Sequence, residues 1–433
     1  MVTPQSCFMI VATVAPAREA GLRELLRSMN AQPGTADPMN AVLPFGAIDT
    51  LHFARLVVVD DAMQADLRVC GVTPEPIPVR LVLMGDCDGP GDDCLAAIAR
   101  AAEPGLRRLF AHCEGFEDGS DVLAWMRAHD APVAVNFICR LGRTVRQVRE
   151  ENALWRALAE RVPRGPLDAP GDAQRRCRAL LDFVEAERRA GRLALTDESP
   201  TPLAWQLANL CHLVALPLVA LLLLPLWLIA LPFVVLMLRR LEKTDAEYCP
   251  RPDPAALRAL QDLEDFDVTN QFTAIGPVKP GRFRRVLVQL ILVAIEYTCR
   301  HIFHRGYLAR VQTIHFARWV VLDDVTRVYF ASNYDGGHEA YMDDFINKVG
   351  WGLNLVFSNG VGWPRTSWLL FGGSKREPDF KRYQRRHQIP TQVWYKAYPG
   401  LTLTDLERAS RIRDGLSNAA DSDASALAWL RLI

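Results

Sequence analysis

Residues 50–61 read TLHFARLVVVDD, and residues 313–324 read TIHFARWVVLDD. Nine of the twelve positions are identical at an offset of 263, so the chain contains this stretch twice. Self-similarity at a fixed offset dictates architecture before any single motif does. Each copy runs through β-branched and aliphatic residues into two aspartates, the pattern of a buried strand with a polar stop.

The repeat extends in both directions. Upstream, Phe8 to Leu26 aligns without a gap onto Phe272 to Leu290, each a short strand, a proline at a helix start (Pro16, Pro280) and a helix. Downstream, RLVLMGDCDG (80–89) matches RVYFASNYDG (327–336), a strand running into an Asp-Gly turn. Helices are expected at 92–103 and 340–349, followed by strands at 106–116 and 353–363. APVAVNFICRLGRTVRQV (131–148) then pairs with IPTQVWYKAYPGLTLTDL (389–406), a strand, a turn and a helix start. The order is that of split βαβ, ferredoxin-like units, which leave one apolar sheet face uncovered. Burying several hundred Å² of such a face at about 25 cal/mol per Å² favours pairing the two copies. The expected fold class is therefore α+β: two tandem ferredoxin-like repeats forming one pseudo-twofold unit.

A tandem of this kind resembles the dimeric α+β barrel superfamily, over about 8–148 and 271–406 and by topology rather than signature. Its members include small monooxygenases and, in duplicated form, haem-binding dye-decolorising peroxidases and chlorite dismutases. The resemblance implies an oxidoreductase, with haem as the cofactor of the peroxidase branch. Those peroxidases carry a distal Asp in a GxxDG turn and a later proximal His. Here the nearest match is Asn333-Tyr334-Asp335-Gly336, which lacks the first glycine, and His338 and His387 follow it.

Between the repeats, ALLDFVEAERRAGRL (179–193) is amphipathic and reads as a surface helix. The stretch from Leu203 to Lys243 is apolar for over thirty residues and is interrupted by Pro217, Pro225 and Pro232. It exceeds the ~20 residues of one upright span and is short for two full passes. Repeats that share a core must lie on one side of a membrane, which demands an even number of crossings or a re-entrant hairpin; a hairpin turning near Pro225 meets that requirement, with Arg239, Arg240 and Lys243 marking a cytoplasmic end. The second copy also replaces the polar GLRELLRSMN by FRRVLVQLILVAIEYTCRHIFHRGY (283–307), apolar with basic edges like an interfacial helix. There His301 and His304 stand at helical spacing. The resulting plan is a first repeat at 1–150, a helical linker at 151–202, a membrane hairpin at 203–243 and a second linker at 244–269. The second repeat follows at 270–410, with its interfacial helix at 283–303, and a tail closes the chain at 411–433.

The 50 basic and 50 acidic residues balance, so no global field recruits nucleic acid. Ten cysteines without a CxxC pair, and no secretory signal, suggest reduced thiols facing the cytoplasm. No P-loop, GxSxG, HExxH or GxGxxG in strand–helix context is present.

His52 and His315 precede Arg55 and Arg318 by three residues in both copies. In a regular strand such residues face opposite ways unless a bulge intervenes. The candidate catalytic residues are His315, Arg318, Asp335 and His338. Asp60 and Asp323, closing the central strands, are expected to pair with arginines. The second copy alone adds Asn359, Trp363, Arg365, Trp394 and Tyr395, aromatics with one cation, the composition of a pocket for an apolar ligand with an anionic head. No metal ligand set is assigned. Two functions follow as expectations: a membrane-associated, peroxidase- or monooxygenase-like oxidoreductase acting on a hydrophobic or lipidic substrate, or a non-catalytic membrane-bound binder or scaffold for an apolar ligand or protein partner. In both the bilayer is a partner, with both repeats on the cytoplasmic side.

Overall fold

A computed structural model describes residues 2–162, 171–303 and 306–433. Part of the first linker and His304 lie outside these ranges. The fold is mixed α+β, with two four-stranded antiparallel sheets and two long apolar helices. The first repeat contributes β1 (Gln5–Thr13), α1 (Glu19–Ser28), β2 (Leu51–Val59), β3 (Arg80–Asp88), α2 (Gly91–Phe110), α3 (Val122–Ala128), β4 (Val133–Ile138) and α4 (Val145–Arg161). After α5 (Asp172–Arg189) come α6 (Leu203–Leu222), α7 (Leu224–Thr244) and α8 (Pro254–Gln261). The second repeat supplies β5 (Thr269–Pro277), α9 (Arg282–His301), β6 (Ile314–Leu322), β7 (Arg327–Asp335), α10 (His338–Lys348) and α11 (Gly350–Phe357). It ends in α12 (Glu377–His387), β8 (Val393–Lys396) and α13 (Leu403–Asp414), and α14 (Asp423–Leu430) closes the chain.

One sheet has the order β1-β3-β2-β8 and the other β4-β6-β7-β5. Each repeat thus keeps three strands and sends its fourth to the other sheet: β8 pairs with β2, and β4 with β6. Each fourth strand first touches its own repeat. Val11 donates to the His129 carbonyl and Ala131 to that of Met9 before β4 crosses over. Ile389 likewise donates to the Thr273 carbonyl, and Gln392 then donates to that of Leu56. These crossings cover the outer edges of β1 and β5, which would otherwise offer unpaired backbone groups.

Alternation along the strands sorts two cores. Met9, Val57, Val59, Val82 and Met84 form one cluster with Ile275, Val320, Leu322, Tyr329 and Ala331, residues of both sheets. Their neighbours Leu56, Val58, Leu81 and Leu83 face the other way into the large core under the helices. Period-2 alternation with both faces buried explains why the end of β2, Leu56 to Val59, reads as an unbroken apolar run.

The strands expected at 106–116 and 353–363 are not strands. Leu106, Leu109 and Phe110 are buried on the last turns of α2, which continues past Pro104 with non-helical angles at Ala102. Leu353 and Val356 lie on α11. Apolar residues three and four apart, with Arg107 and Arg108 between them, mark a helix face rather than a strand.

The hairpin turns at Leu223, two residues before Pro225. No residue of α6 is buried, and on α7 only Leu238 and Glu242 are. Helices α6 and α7, of 20 and 21 residues, are long and apolar enough to cross a membrane. The free cysteines form no disulfide among the described residues.

Candidate functional site

The two copies of the opening motif meet at a buried polar centre. The strand register slips at His52, between Leu51 and Phe53, and again at His315, between Ile314 and Phe316. A bulge therefore sits at each histidine, and the simple alternation that separates His from Arg does not apply. His52 Nε2 lies 2.9 Å from Asp88 Oδ1, and His315 Nε2 lies 2.6 Å from Asp335 Oδ1. The second oxygen of each carboxylate caps a helix. Asp88 Oδ2 accepts from Val145 N at 2.9 Å, and Asp335 Oδ2 accepts from Leu403 N at 2.7 Å. The following glycines, Gly89 (φ 77°) and Gly336 (φ 87°), supply the left-handed turn that points each carboxylate back at its helix.

Both histidines border one narrow cavity of about 20 Å³ beneath α4 and α13, lined also by Gln5, Arg140, Glu151 and Tyr398. Such a volume holds about one water molecule. His52 Nδ1 is 3.0 Å from the Tyr398 hydroxyl. Glu151 is buried between Arg143 at 3.1 Å and Arg413 at 3.6 Å. Burial pushes its carboxyl up to about 7 against the pull of both guanidiniums.

Arg318 does not join His315. It crosses to the other sheet, donating to the carbonyls of Phe8 at 2.9 Å and Gly85 at 3.1 Å and pairing with Asp86. Arg55 makes the mirror-image reach, to the carbonyls of Phe272 and Ser332, both at 2.9 Å, and to Asn333 Oδ1 at 2.5 Å. Both guanidiniums are almost fully buried, and desolvation lowers Arg55 to about 10. The Asp86 carboxylate draws Arg318 upward against its own burial.

His338 stands apart, at the start of α10. Its backbone N–H donates to Asp265 Oδ1 at 3.0 Å, and its ring packs near Phe272. Burial, with Arg385 and Lys381 nearby, pushes it down to about 3. Asp323 pairs with Arg80 at 2.7 Å and Arg327 at 2.8 Å; in the first copy Asp61, not Asp60, meets Arg327 at 3.1 Å. Among the described residues no three His, Cys, Asp or Glu side chains are grouped to hold a metal ion.

The five aromatic and polar additions fall in three places. Trp363 is buried against Phe357, Phe380 and Tyr383, and Asn359 accepts from Arg284 Nη1 at 3.1 Å beneath α9. Arg365 is exposed, 3.8 Å from Glu247. Trp394 and Tyr395 travel with β8 into the first sheet. There Trp394 Nε1 donates to Asn333 Oδ1 at 3.2 Å, and Tyr395 stacks on Phe45 and accepts from Arg149. Among the described residues these side chains line no common cavity.

A haem does not fit beside His315 or His338. The cavity at His315 is too small for a macrocycle, and His338 is enclosed by packed side chains. The roomy space lies elsewhere: an open groove of about 590 Å³ at the foot of α6, walled by Trp205 and Asn209 of α6, by Arg300 of α9, and by Arg140 and Arg143 after β4. The last two arginines also line the histidine cavity, so the groove and cavity share a wall.

No protein family, curated protein or solved structure matches the chain.

The residues that sequence reasoning missed are Asp86, Asn333 and Glu151. A signal existed for the first two. Asp86 and Asn333 occupy the same place in both copies, two before the Asp-Gly turn, in register with inward-facing apolar residues.

Proposed function

We propose that the two repeats close into one pseudo-twofold barrel of the dimeric α+β type, held on the cytoplasmic face of a membrane by α6, α7 and α9. In this reading the chain is a non-catalytic binder of an amphipathic molecule, whose polar head lies in the groove at the foot of α6. The reciprocal strand exchange supports the barrel, because each half completes the sheet of the other. The observation that carries the binding role is the groove. Its walls come from the exposed apolar helix and from the repeats together, and its volume is that of a small-molecule site. The polar groups beneath it already hold helices and sheets in place.

The test uses full-length protein in nanodiscs and a fluorescent fatty acid. Arg140→Ala and Trp205→Ala should each weaken binding at least tenfold, while Arg108→Ala, on the exposed face of α2, should not. Equal affinities in all three variants would overturn the proposal.

The oxidoreductase reading keeps one supporting observation, the buried His315 that borders the small cavity together with His52 and Tyr398. An absorption band of a bound chromophore in detergent-purified protein, lost in His315→Ala, would favour it. A spectrum showing only protein absorption in an active preparation would count against a chromophore.

A further inference from the structure

We infer that α6 and α7 form a wedge that enters one leaflet of a phospholipid bilayer and ends inside it, with α9 lying along the base at headgroup depth. The inference rests on the membrane reading above and adds what that reading leaves open, which is how far the hairpin goes.

At the tip a single residue, Leu223, separates α6 from α7, and the run from Leu221 to Ile229 (LLLLPLWLI) carries no charged or hydrogen-bonding side chain except the Trp227 indole. It is exposed throughout, Leu222 at 71% and Ile229 at 78%. A turn emerging on the far side of a bilayer would set this run among water and headgroups. Inside hydrocarbon the same run is favourable, provided its backbone is satisfied. Leu223 N donates to the Val219 carbonyl at 3.0 Å, and Trp227 N to that of Leu223 at 2.9 Å. Pro225, in the first turn of α7, removes a donor that would otherwise lack a partner.

Helix α9 closes a triangle with the two legs. At one corner Arg300 Nε donates to Asn209 Oδ1 at 2.5 Å, and the Tyr297 hydroxyl donates to the Leu213 carbonyl at 3.1 Å. At the other corner Arg284 and Lys279 meet Asp245, at 2.5 and 3.1 Å. At ~1.5 Å per residue, the sides are about 21 Å (209–223), about 33 Å (223–245) and about 24 Å (284–300). Those sides put the tip ~20 Å from α9, whereas the hydrocarbon of a bilayer is ~30 Å thick. Helices α6 and α7 are each long enough to cross, but α6 is pinned at Asn209 with only about 21 Å left to the tip, too short to reach the other side.

The base is built for an interface. Val286, Leu290 and Val293 are exposed at i, i+4 and i+7 on α9, while Val288 and Leu292 on another face are buried. Exposed Arg240, Lys243, Arg282 and Arg285 cluster at the Asp245 corner, where anionic headgroups would meet them.

The test uses the full chain with Leu223→Cys in a Cys211→Ser background, since Cys211 is an exposed native thiol. The protein is reconstituted into sealed phosphatidylcholine–phosphatidylglycerol vesicles. The expected result is retention through an alkaline carbonate wash and no reaction at position 223 with an impermeant maleimide, whether added outside or trapped inside. Full reaction should follow in detergent. Leu226→Cys should behave alike and stands in if the first variant fails to fold. Retention with labelling by the trapped reagent would overturn the wedge and leave the membrane reading intact. Release by the wash would overturn both, and cross-linking of released Leu223→Cys copies would show that a second copy covers the hairpin instead.

Discussion

Asn333 donates from Nδ2 to Asp86 Oδ2 at 3.1 Å, across the interior between the two sheets. These residues hold equivalent places in the two repeats, and each also receives an arginine from the opposite sheet, Arg318 at Asp86 and Arg55 at Asn333. The chain Arg318–Asp86–Asn333–Arg55 is thus a buried bridge whose outer arms also bond backbone carbonyls of the other repeat. One carboxylate against two guanidiniums works because those carbonyls and Asn333 absorb the second positive charge.

Removing one partner of the ion pair should be costly, because it leaves the other charged and dry. Arg318→Met is expected to destabilise the protein by about 3–5 kcal/mol in denaturant titrations. Adding Asp86→Asn to that variant should recover part of the loss. Strict additivity of the two substitutions would show that they do not act as a pair.

The Asp88 and Asp335 carboxylates each serve one histidine and one helix N-terminus, so equal substitutions should have similar effects in both copies. Asp88→Ala and Asp335→Ala should each cost roughly 1–3 kcal/mol, from a lost helix cap and a lost buried hydrogen bond. The readout is the denaturant midpoint. A near-neutral Asp335→Ala that nevertheless abolished a measured activity would assign Asp335 to chemistry rather than to capping.

Stability should fall on both sides of a mid-range pH for separate reasons. Burial raises Glu151 from 4.5 to about 7 in the fold, so between those values the folded state holds more protons than the unfolded one. Its contribution is full below pH ~4.5 and is lost as pH rises to about 7, at no more than about 1.4 kcal/mol per unit. His338, pushed down from 6.5 to about 3, and His387, down to about 4, act in the opposite direction. Their contribution is full above pH ~6.5 and is lost as pH falls toward the folded values. Glu151→Gln should flatten the neutral slope, steepen the slope between pH ~4.5 and ~6.5, where the two contributions oppose each other, and leave the slope below pH ~4.5 in place. An unchanged neutral slope would mean that Glu151 is already ionised in the fold.

The repeat, its strands at 50–61 and 313–324, the Asp-Gly turns and the hairpin tip near Pro225 were all legible, because each rests on local pattern or on internal identity. Three features were not. Leu106 to Phe110 carries an apolar spacing that fits a helix, yet so short an apolar run reads equally as a strand. The bulges at His52 and His315 arise from pairing register, which no single strand reveals. Trp394 and Tyr395 belong to the second repeat in sequence and to the first sheet in space. Strand exchange is decided by non-local contacts between strands of similar composition.

That exchange gives the last prediction. Fragment 1–162 contains every residue of the first repeat, but its β2 lacks β8 and its β4 lacks β6. Its inner face would expose Met9, Val57, Val59, Val82 and Met84, which in the whole chain pack against the other sheet. Each such side chain gains about 1.5–3 kcal/mol from full burial, a sum comparable with the whole stability of a domain. Asp86 would also lose Arg318. The fragment alone should therefore not fold as a monomer, whereas coexpression with 245–433 should yield a soluble one-to-one complex by size-exclusion chromatography. A monomeric 1–162 with dispersed amide resonances would show that the first repeat holds its own core and that the exchanged strands are dispensable.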